Sequence, residues 1–180
     1  VYVVITKCDL ISGFTEFFGD IRPNERQQVW GFTVPLEKGV SNIEAFAYHF
    51  DELTTALSSK AVAQLSVERR VEARTKIFEF PEQLIRLRQQ LGDLVGNLFA
   101  ENIYQETPIM RGAYFTSGTQ EGRPVDQITN AIADAFGILP SMTQPPPVVE
   151  TKSYFIHDVF AQIIIPDQGI SDRSAGLLGR

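Results

Sequence analysis

The sequence predicts an α/β fold with a parallel sheet, and two segments carry that prediction. Residues 1–5 form an apolar run rich in β-branched residues, which is typical of a strand buried on both faces of a parallel sheet. Residues 110–116 form a second apolar strand, and a short polar loop follows each of the two. Because a buried parallel strand needs neighbours, we expect Val1 to lie inside a longer fold rather than at its start.

The composition is that of an ordinary globular domain. The chain has 180 residues, of which 43% are hydrophobic and 21% charged, and this length suits one domain. A net charge of -6 argues against nucleic-acid binding and against adsorption on anionic membranes, since both need a positive surface. Cys8 is the single cysteine, which rules out an internal disulfide and favours a reducing compartment.

Helices are predicted directly after the first strand. Residues 10–20 place apolar side chains on one helical face, and Pro23 suits the first turn of a second, short helix over residues 23–30. Residues 31–35 are short and extended. The apolar face of the first helix comprises Leu10, Phe14, Phe17 and Phe18.

A long amphipathic helix is predicted next. Ser41 and Glu44 have the spacing of a capping box, and the helical pattern runs from residue 42 into the 60s and as far as residue 74. Its expected core positions are Phe46, Phe50, Leu53, Leu57 and Val62. Residues 75–80 alternate in polarity and predict a strand, after which Pro81 is expected to begin a helix to residue 99.

The carboxyl-terminal third is predicted to contain a helix, a linker and a final helix. Pro124 opens a helical pattern over residues 124–136, and residues 140–150 include three consecutive prolines, which favour an extended linker. Residues 153–166 form a short amphipathic helix ended by Pro166, followed by a flexible tail. The apolar face of this last helix either packs back on the domain or docks another protein.

The loops after the two strands contain the candidate site. The Asp9 carboxylate can accept two hydrogen bonds from the edge of a base, while the stem of Lys7 lies along the ring. Backbone N–H groups of Ser117, Gly118 and Thr119 can donate to a base carbonyl. Because parallel strands bring their carboxyl ends to one edge, the two loops would together suit guanine better than adenine.

These two loops resemble the base-recognition motifs of P-loop GTPases. The longer segments TKCDLISGFTEFFGD, ERQQVWGFT, FEFPEQL, RGAYFTSGTQEGRPVD and SYFIHDVFAQIIIPD look like the cytoplasmic domain of the IcmF/TssM family, a component of bacterial type VI secretion systems. The resemblance implies an α/β fold: the carboxyl-terminal part of a P-loop-GTPase-like parallel sheet, with a large helical insertion and a C-terminal helical extension. In this division, residues 1–139 form the partial domain with its insertion at about 36–108, residues 140–150 the proline-rich linker, and residues 151–180 the last helix and tail.

The resemblance also implies a function and a location. Members of the family belong to an envelope-spanning complex, with a GTPase-like domain at the cytoplasmic face of the bacterial inner membrane. The implied partners are other type VI secretion components: an inner-membrane partner protein, baseplate proteins and, through a periplasmic region outside this chain, an outer-membrane lipoprotein. By position, Thr6, Lys7 and Asp9 match the first base-contacting motif, and Ser117, Gly118 and Thr119 match the second.

The chain departs from GTPases in three respects. Thr6 stands where most GTPases have Asn, and Gly118-Thr119 replaces the common Ala-Lys. The glycine-rich loop that cradles phosphates is absent from the sequence. We therefore expect neither catalysis nor a bound cofactor in this chain alone, and GTP or GDP with Mg²⁺ only in the intact domain. Two hypotheses follow: a scaffold module that acts through protein contacts, and half of a guanine-nucleotide switch whose phosphate loop lies upstream of Val1.

Several polar residues have simpler expected roles. Ser117, Gly118 and Thr119 suit a turn before a helix, and Cys8 suits a small residue near a strand end. His49 and His157 lie among apolar residues and are expected to be packed or half-exposed rather than ligands. The mixed charges of residues 68–76 are expected to form a solvated helix face.

Overall fold

A computed structural model describes residues 1–35, 41–100, 108–118 and 152–168 of the chain. Three strands form a mixed sheet in the order β1-β3-β2: β1 (Tyr2–Ile5), β2 (Gly31–Thr33) and β3 (Gly112–Phe115). The helices are α1 (Phe14–Phe18), α2 (Pro23–Gln27), α3 (Asn42–Leu65), α4 (Val71–Arg86) and α5 (Arg88–Leu98). The fold is therefore mixed α/β, as the sequence predicts.

The sheet confirms the central expectation and corrects one part of it. β1 and β3 pair in parallel, with Ile5 opposite Phe115, so the loops after both strands leave from the same edge. β2 pairs with β3 in antiparallel fashion, so the described sheet is mixed rather than purely parallel. The strand buried along its whole length is β3, whereas in β1 only Val3 is buried. The difference arises because β3 has a paired strand on both sides and β1 has one described partner.

The first predicted helix is interrupted. Cys8–Leu10 form a 3₁₀ turn, and α1 begins only at Phe14. Gly13 separates them with φ +90°, a left-handed conformation that glycine adopts readily. Phe14, Phe17 and Phe18 are buried as predicted, but Leu10 is exposed, because the break turns it away from the α1 face.

The long helix α3 begins after Ser41 as predicted, although the Ser41 side chain makes no capping hydrogen bond. It ends at Leu65 and does not reach residue 74, because the chain turns into α4 through residues 66–70. Phe46, Phe50 and Leu57 are buried, and Leu53 packs against the core. The prediction for Val62 is wrong, since this side chain is 69% exposed.

The predicted strand at residues 75–80 is wrong, because the segment lies inside α4. Its buried residues are separated by three and four positions, which is the period of a helix rather than of a strand. They are Ala73, Ile77, Phe80, Pro81 and Leu84. Pro81 lies within α4 instead of opening a helix, and its side chain belongs to the buried side of α4.

The core is built largely of aromatic rings between the sheet and the helices. Phe80 of α4 lies 4.8 Å from Phe17, ring centre to ring centre, and Trp30 lies 5.1 Å from both Phe18 and Phe115. The segment of residues 152–168 also contributes to it. This segment includes a π-helix, Val159–Ile164, and a 3₁₀ turn, Pro166–Gln168.

The last apolar segment packs back on the domain, which resolves the alternative that the sequence left open. Tyr154, Phe155 and Val159 are buried, and the Tyr154 ring lies 5.3 Å from that of Phe14. Phe160, in the same apolar segment, is 47% exposed and lies within the π-helix. The predicted helix at 124–136, the linker at 140–150 and the tail beyond 168 lie outside the described residues.

Candidate functional site

The two predicted loops meet at the carboxyl edge of the parallel strand pair. The Thr116 N–H donates to the Ile5 carbonyl at 2.8 Å, and the Cys8 N–H donates to the Thr116 carbonyl at 3.1 Å. These bonds continue the β1–β3 ladder beyond its last strand pair. The loop after each strand is therefore fixed to the other by backbone contacts.

The first loop turns sharply at Lys7. Lys7 has φ 60° and ψ 34°, a left-handed conformation that is uncommon for residues other than glycine. The 3₁₀ turn that follows is closed by the Leu10 N–H, which donates to the Lys7 carbonyl at 3.1 Å. This turn leaves Thr6 and Lys7 exposed and directs Cys8 inward.

Asp9 and Ser117 are brought into direct contact. The Ser117 hydroxyl donates to Oδ1 of Asp9 at 2.5 Å, across 108 residues of sequence. Ser117 is buried and Asp9 is half-buried. The expectation that the two loops share one place in the fold is thus confirmed for this pair, and one oxygen of the proposed base acceptor is already engaged.

The backbone of Ser117 has a partner within the chain. Its N–H donates to the Tyr154 carbonyl at 3.0 Å, and its carbonyl accepts from the Tyr154 N–H at 2.7 Å, which makes an isolated antiparallel bridge. The donor that the sequence assigned to a base carbonyl therefore holds residues 152–168 against β3. Gly118 is half-buried, and a Cβ there would lie 3.8 Å from Ile156 Cδ1; Thr119 lies outside the described residues.

Tyr154 and its neighbour are the site residues that sequence reasoning missed. Phe155 has φ 60°, and its N–H donates to the Arg26 carbonyl at 2.6 Å. The Arg26 guanidinium lies 5.8 Å from the centre of the Tyr154 ring. Sequence spacing gives no sign of these contacts, because Tyr154 is separated from Ser117 by a long stretch that includes the proline-rich segment. The aromatic pair Tyr154-Phe155 is the sequence feature that indicates burial of this segment, but it does not indicate which residues it contacts.

Cys8 is not suited to nucleophilic chemistry. Its side chain is 1% exposed, and burial raises the pKa of its thiol to about 12, so it is protonated at neutral pH. Its sulfur lies 3.6 Å from the Ile5 carbonyl, to which the thiol donates. The structure therefore agrees with the expected packing role.

Each histidine lies close to an acidic side chain near it in sequence. His49 stacks on Phe32, with ring centres 5.4 Å apart, and its Nδ1 lies 3.0 Å from Glu52 Oε2. His157 Nδ1 lies 2.8 Å from Asp158 Oδ1. Within the part of the chain that the structure describes, no three His, Cys, Asp or Glu side chains are grouped so that they could hold a metal ion.

A cleft of about 910 Å³ opens elsewhere on the domain, between α1 and α3. Its lining combines apolar residues such as Phe17, Trp30 and Leu57 with charged residues such as Glu16 and Lys60. The Lys60 ammonium lies 5.5 Å from the centre of the Phe18 ring, within the range of a cation–π contact. None of the five candidate base-contacting residues that the structure describes lines this cleft, so the cavity and the described parts of the candidate loops are separate features.

Comparison with known proteins identifies the family. The model of the IcmF-related N-terminal domain matches residues 1–177, nearly the whole chain. The chain belongs to this family. It is also 36% identical over 173 residues to a protein of Pseudomonas aeruginosa named type VI secretion system component TssM1. The alignment covers 94% of this chain but only 16% of that relative, so the chain spans a small part of the relative's length.

The match confirms the resemblance that RGAYFTSGTQEGRPVD and the other segments suggested. Both candidate loops fall within the matched range of the IcmF-related domain. No solved structure matches the chain. Among the helices that the structure describes, none is both long and apolar enough to cross a bilayer.

Proposed function

We propose that this IcmF-related domain is a cytosolic scaffold module of the type VI secretion membrane complex, supporting protein secretion across the bacterial envelope. In this role it acts through protein contacts at the cytoplasmic face of the inner membrane. Its expected partners are other components of the secretion system, namely the inner-membrane partner protein and baseplate proteins. The outer-membrane lipoprotein would be reached only through a periplasmic region. Family membership and the likeness to TssM1 support this proposal.

The bonding of Ser117 is the observation that carries the scaffold role over a nucleotide switch. Its N–H donates to the Tyr154 carbonyl, so one of the backbone donors assigned to a guanine base already has a partner within the chain. Its hydroxyl donates to one oxygen of Asp9, which leaves the second oxygen open. To use the Ser117 N–H, a base would have to replace its hydrogen bond to the Tyr154 carbonyl. Each buried group would then have to find an equally good partner in the ligand, because an unpaired buried donor costs about 1–3 kcal/mol.

The alternative is that the chain is half of a guanine-nucleotide switch, with GTP or GDP and Mg²⁺ bound by the intact domain. The meeting of Asp9 with Ser117 favours it, because it places both candidate motifs at one sheet edge. The second Asp9 oxygen and the exposed Lys7 side chain are the groups such a base would meet first. Without the phosphate loop we expect no catalysis by this chain.

Thermal unfolding with and without nucleotide separates the two functions. The full-length protein is heated with GTP, GDP or no nucleotide, at millimolar concentration with Mg²⁺. The scaffold role predicts an unchanged melting temperature. A ligand present at about one hundred times its Kd would stabilise the fold by about 2.7 kcal/mol, which shifts the midpoint by several degrees.

One variant and one binding measurement sharpen this experiment. Asp9→Asn should change a preference for guanine towards xanthine if the carboxylate reads the base, and should leave all nucleotides without effect under the scaffold role. Binding to the purified cytosolic part of the inner-membrane partner is measured in parallel. Partner binding that is unaffected by nucleotide supports the scaffold; a guanine-specific stabilisation that Asp9→Asn abolishes would instead establish the switch.

A further inference from the structure

Helix α4 has an apolar stripe on the side that faces away from the core. The α4 stripe consists of Val71, Phe78 and Ile85, which are 70%, 64% and 37% exposed. Seven residues are close to two helical turns, so the three side chains lie in one row about 21 Å long. The opposite side of α4 already supplies Ile77, Phe80 and other core residues, so the fold does not need this second apolar side.

The stripe differs from ordinary exposed apolar residues. Single exposed side chains such as Val62 on α3 are normal on protein surfaces. A row at heptad spacing instead supplies one of the two positions through which helices pack along a common seam; the other position of the repeat holds Arg74 and, on the core side, Pro81. Phe78 lies at its centre, and large aromatic side chains there tend to contribute most to binding.

The charges beside the stripe indicate what kind of surface fits it. Arg74 lies four residues before Phe78 and Glu82 four residues after it, and both are exposed on the stripe side of the helix. Arg74 is held in place, since its Nη1 donates to the carbonyls of Leu65 and Glu68, the latter at 3.0 Å. The stripe therefore has a fixed cation on its amino-terminal half and an anion on its carboxyl-terminal half.

This arrangement is complementary to itself when it is reversed. In an antiparallel pair with a two-fold axis at Phe78, Val71 of one copy lies opposite Ile85 of the other, and Arg74 lies opposite Glu82. In a parallel pair, Arg74 would meet Arg74 and Glu82 would meet Glu82, which is repulsive. We propose that α4 is a self-association surface, through which two copies of this domain pair antiparallel along Val71, Phe78 and Ile85.

The pairing is expected to be weak. Three apolar side chains from each copy bury less than the 1,200 Å² or so of a standard stable interface. Each copy also carries a net charge of -6, which opposes association at low ionic strength. The proposal does not depend on the secretion role of the domain, since it rests only on the surface of α4.

Sedimentation of the full 180-residue chain tests the proposal at about 0.15 M salt, over roughly 5 to 500 µM. We expect a monomer–dimer equilibrium within this range. Phe78→Ser should raise the dimer Kd about tenfold or more, because it removes the aromatic centre of the seam. Val62→Ser is the matched control: it also replaces an exposed apolar residue on a helix, but it lies off the stripe, and it should leave the Kd unchanged.

Charge reversal tests the antiparallel register. Glu82→Arg alone should weaken pairing, because it places an arginine opposite Arg74 of the second copy. A mixture of Glu82→Arg with Arg74→Glu chains should pair better than either variant alone, since each meets an opposite charge. A chain that stays monomeric up to the highest concentration, or a dimer indifferent to Phe78→Ser, would refute the proposal. A monomeric chain whose melting temperature drops with Phe78→Ser would show that another part of the chain covers the stripe, and it would refute the proposal equally.

Discussion

Replacing Phe80 with alanine is the most direct test of how α4 builds the core. The Phe80 side chain is fully buried, and its ring lies 4.8 Å from Phe17 and 5.5 Å from Phe18, ring centre to ring centre. Truncating a buried phenylalanine removes its transfer free energy and leaves a cavity, at a typical cost of 3–5 kcal/mol. The aromatic neighbours cannot collapse easily into this space because they pack against each other, so we expect about 4 kcal/mol.

Phe78→Ala in the same helix is the matched control. Phe78 is two residues away and 64% exposed, so its truncation should change the free energy of unfolding of the monomer by less than about 0.5 kcal/mol. The pair distinguishes a helix from a strand at this segment. In a strand, residues 78 and 80 would lie on the same face and respond alike; in a helix they lie on opposite sides.

Urea unfolding followed by circular dichroism measures both values at a low protein concentration. A loss of about 4 kcal/mol is a large share of the 5–15 kcal/mol that stabilises a typical domain, so Phe80→Ala should have a much lower midpoint. Phe80→Leu, which leaves a smaller cavity, should fall between the wild type and Phe80→Ala. Equal losses for Phe78→Ala and Phe80→Ala would refute the helical assignment of residues 75–80 and the core described around it.

Three further predictions concern single residues. Gly13→Ala should destabilise the fold, because φ is +90° there and the new Cβ would come 2.4 Å from the Lys76 carbonyl oxygen. A melting curve measures the loss of stability. Gly92→Ala is the control, since a Cβ at residue 92 meets no atom within 4 Å. Cys8 should resist a thiol reagent in the native state at pH 8 and react once urea unfolds the chain, since burial raises its pKa to about 12. Hydrogen bonds from Tyr2 and Arg111 lower the pKa of Asp167. The stability that Asp167 contributes is therefore present above its unfolded pKa of about 4 and is lost as the pH falls from there through the lower folded pKa. Asp167→Asn should reduce this acid-induced loss, measured by urea unfolding between about pH 6 and 3.

The helices and strands that the sequence predicted correctly are those with one strong local signal. Residues 112–115 contain no charged side chain, and β3 is buried throughout. Ser41 marks the start of α3, and the Phe46 and Phe50 spacing marks its buried side. In these segments, propensity, pattern and packing agree, so the local sequence is sufficient.

The segment 75–80 was mispredicted because six residues cannot separate the two periods. Alternation over TKIFEF matches a strand, but Ala73 and Leu84 on either side extend a helical pattern that includes Ile77 and Phe80. Pro81 reinforced the error, since proline is common at the start of a helix. A window from Ala73 to Leu84 favours a helix instead, because the apolar positions recur at intervals of three and four residues on both sides of Pro81.

The candidate site was predictable in its location but not in its bonding. Two parallel strands followed by polar loops place Asp9 near Ser117 by topology alone, and the structure joins them by a hydrogen bond. The bridge from Ser117 to Tyr154 spans a long sequence separation and depends on how the whole domain packs. Such contacts have no periodicity or spacing to reveal them, since tertiary packing alone sets them.

The Tyr154 bridge gives Ser117 a structural task that any nucleotide-dependent function would have to accommodate. Ser117 holds the loop after β1 through its hydroxyl and residues 152–168 through its backbone. Residues 152–168 are held a second time near the amino-terminal ends of β1 and β3, where the Asp167 carboxylate accepts hydrogen bonds from Tyr2 and Arg111. A base that competed for Ser117 would therefore loosen one end of a segment that contributes Tyr154, Phe155 and Val159 to the core. The energy of that loosening would count against binding, which supports the proposed scaffold role over the guanine-nucleotide alternative.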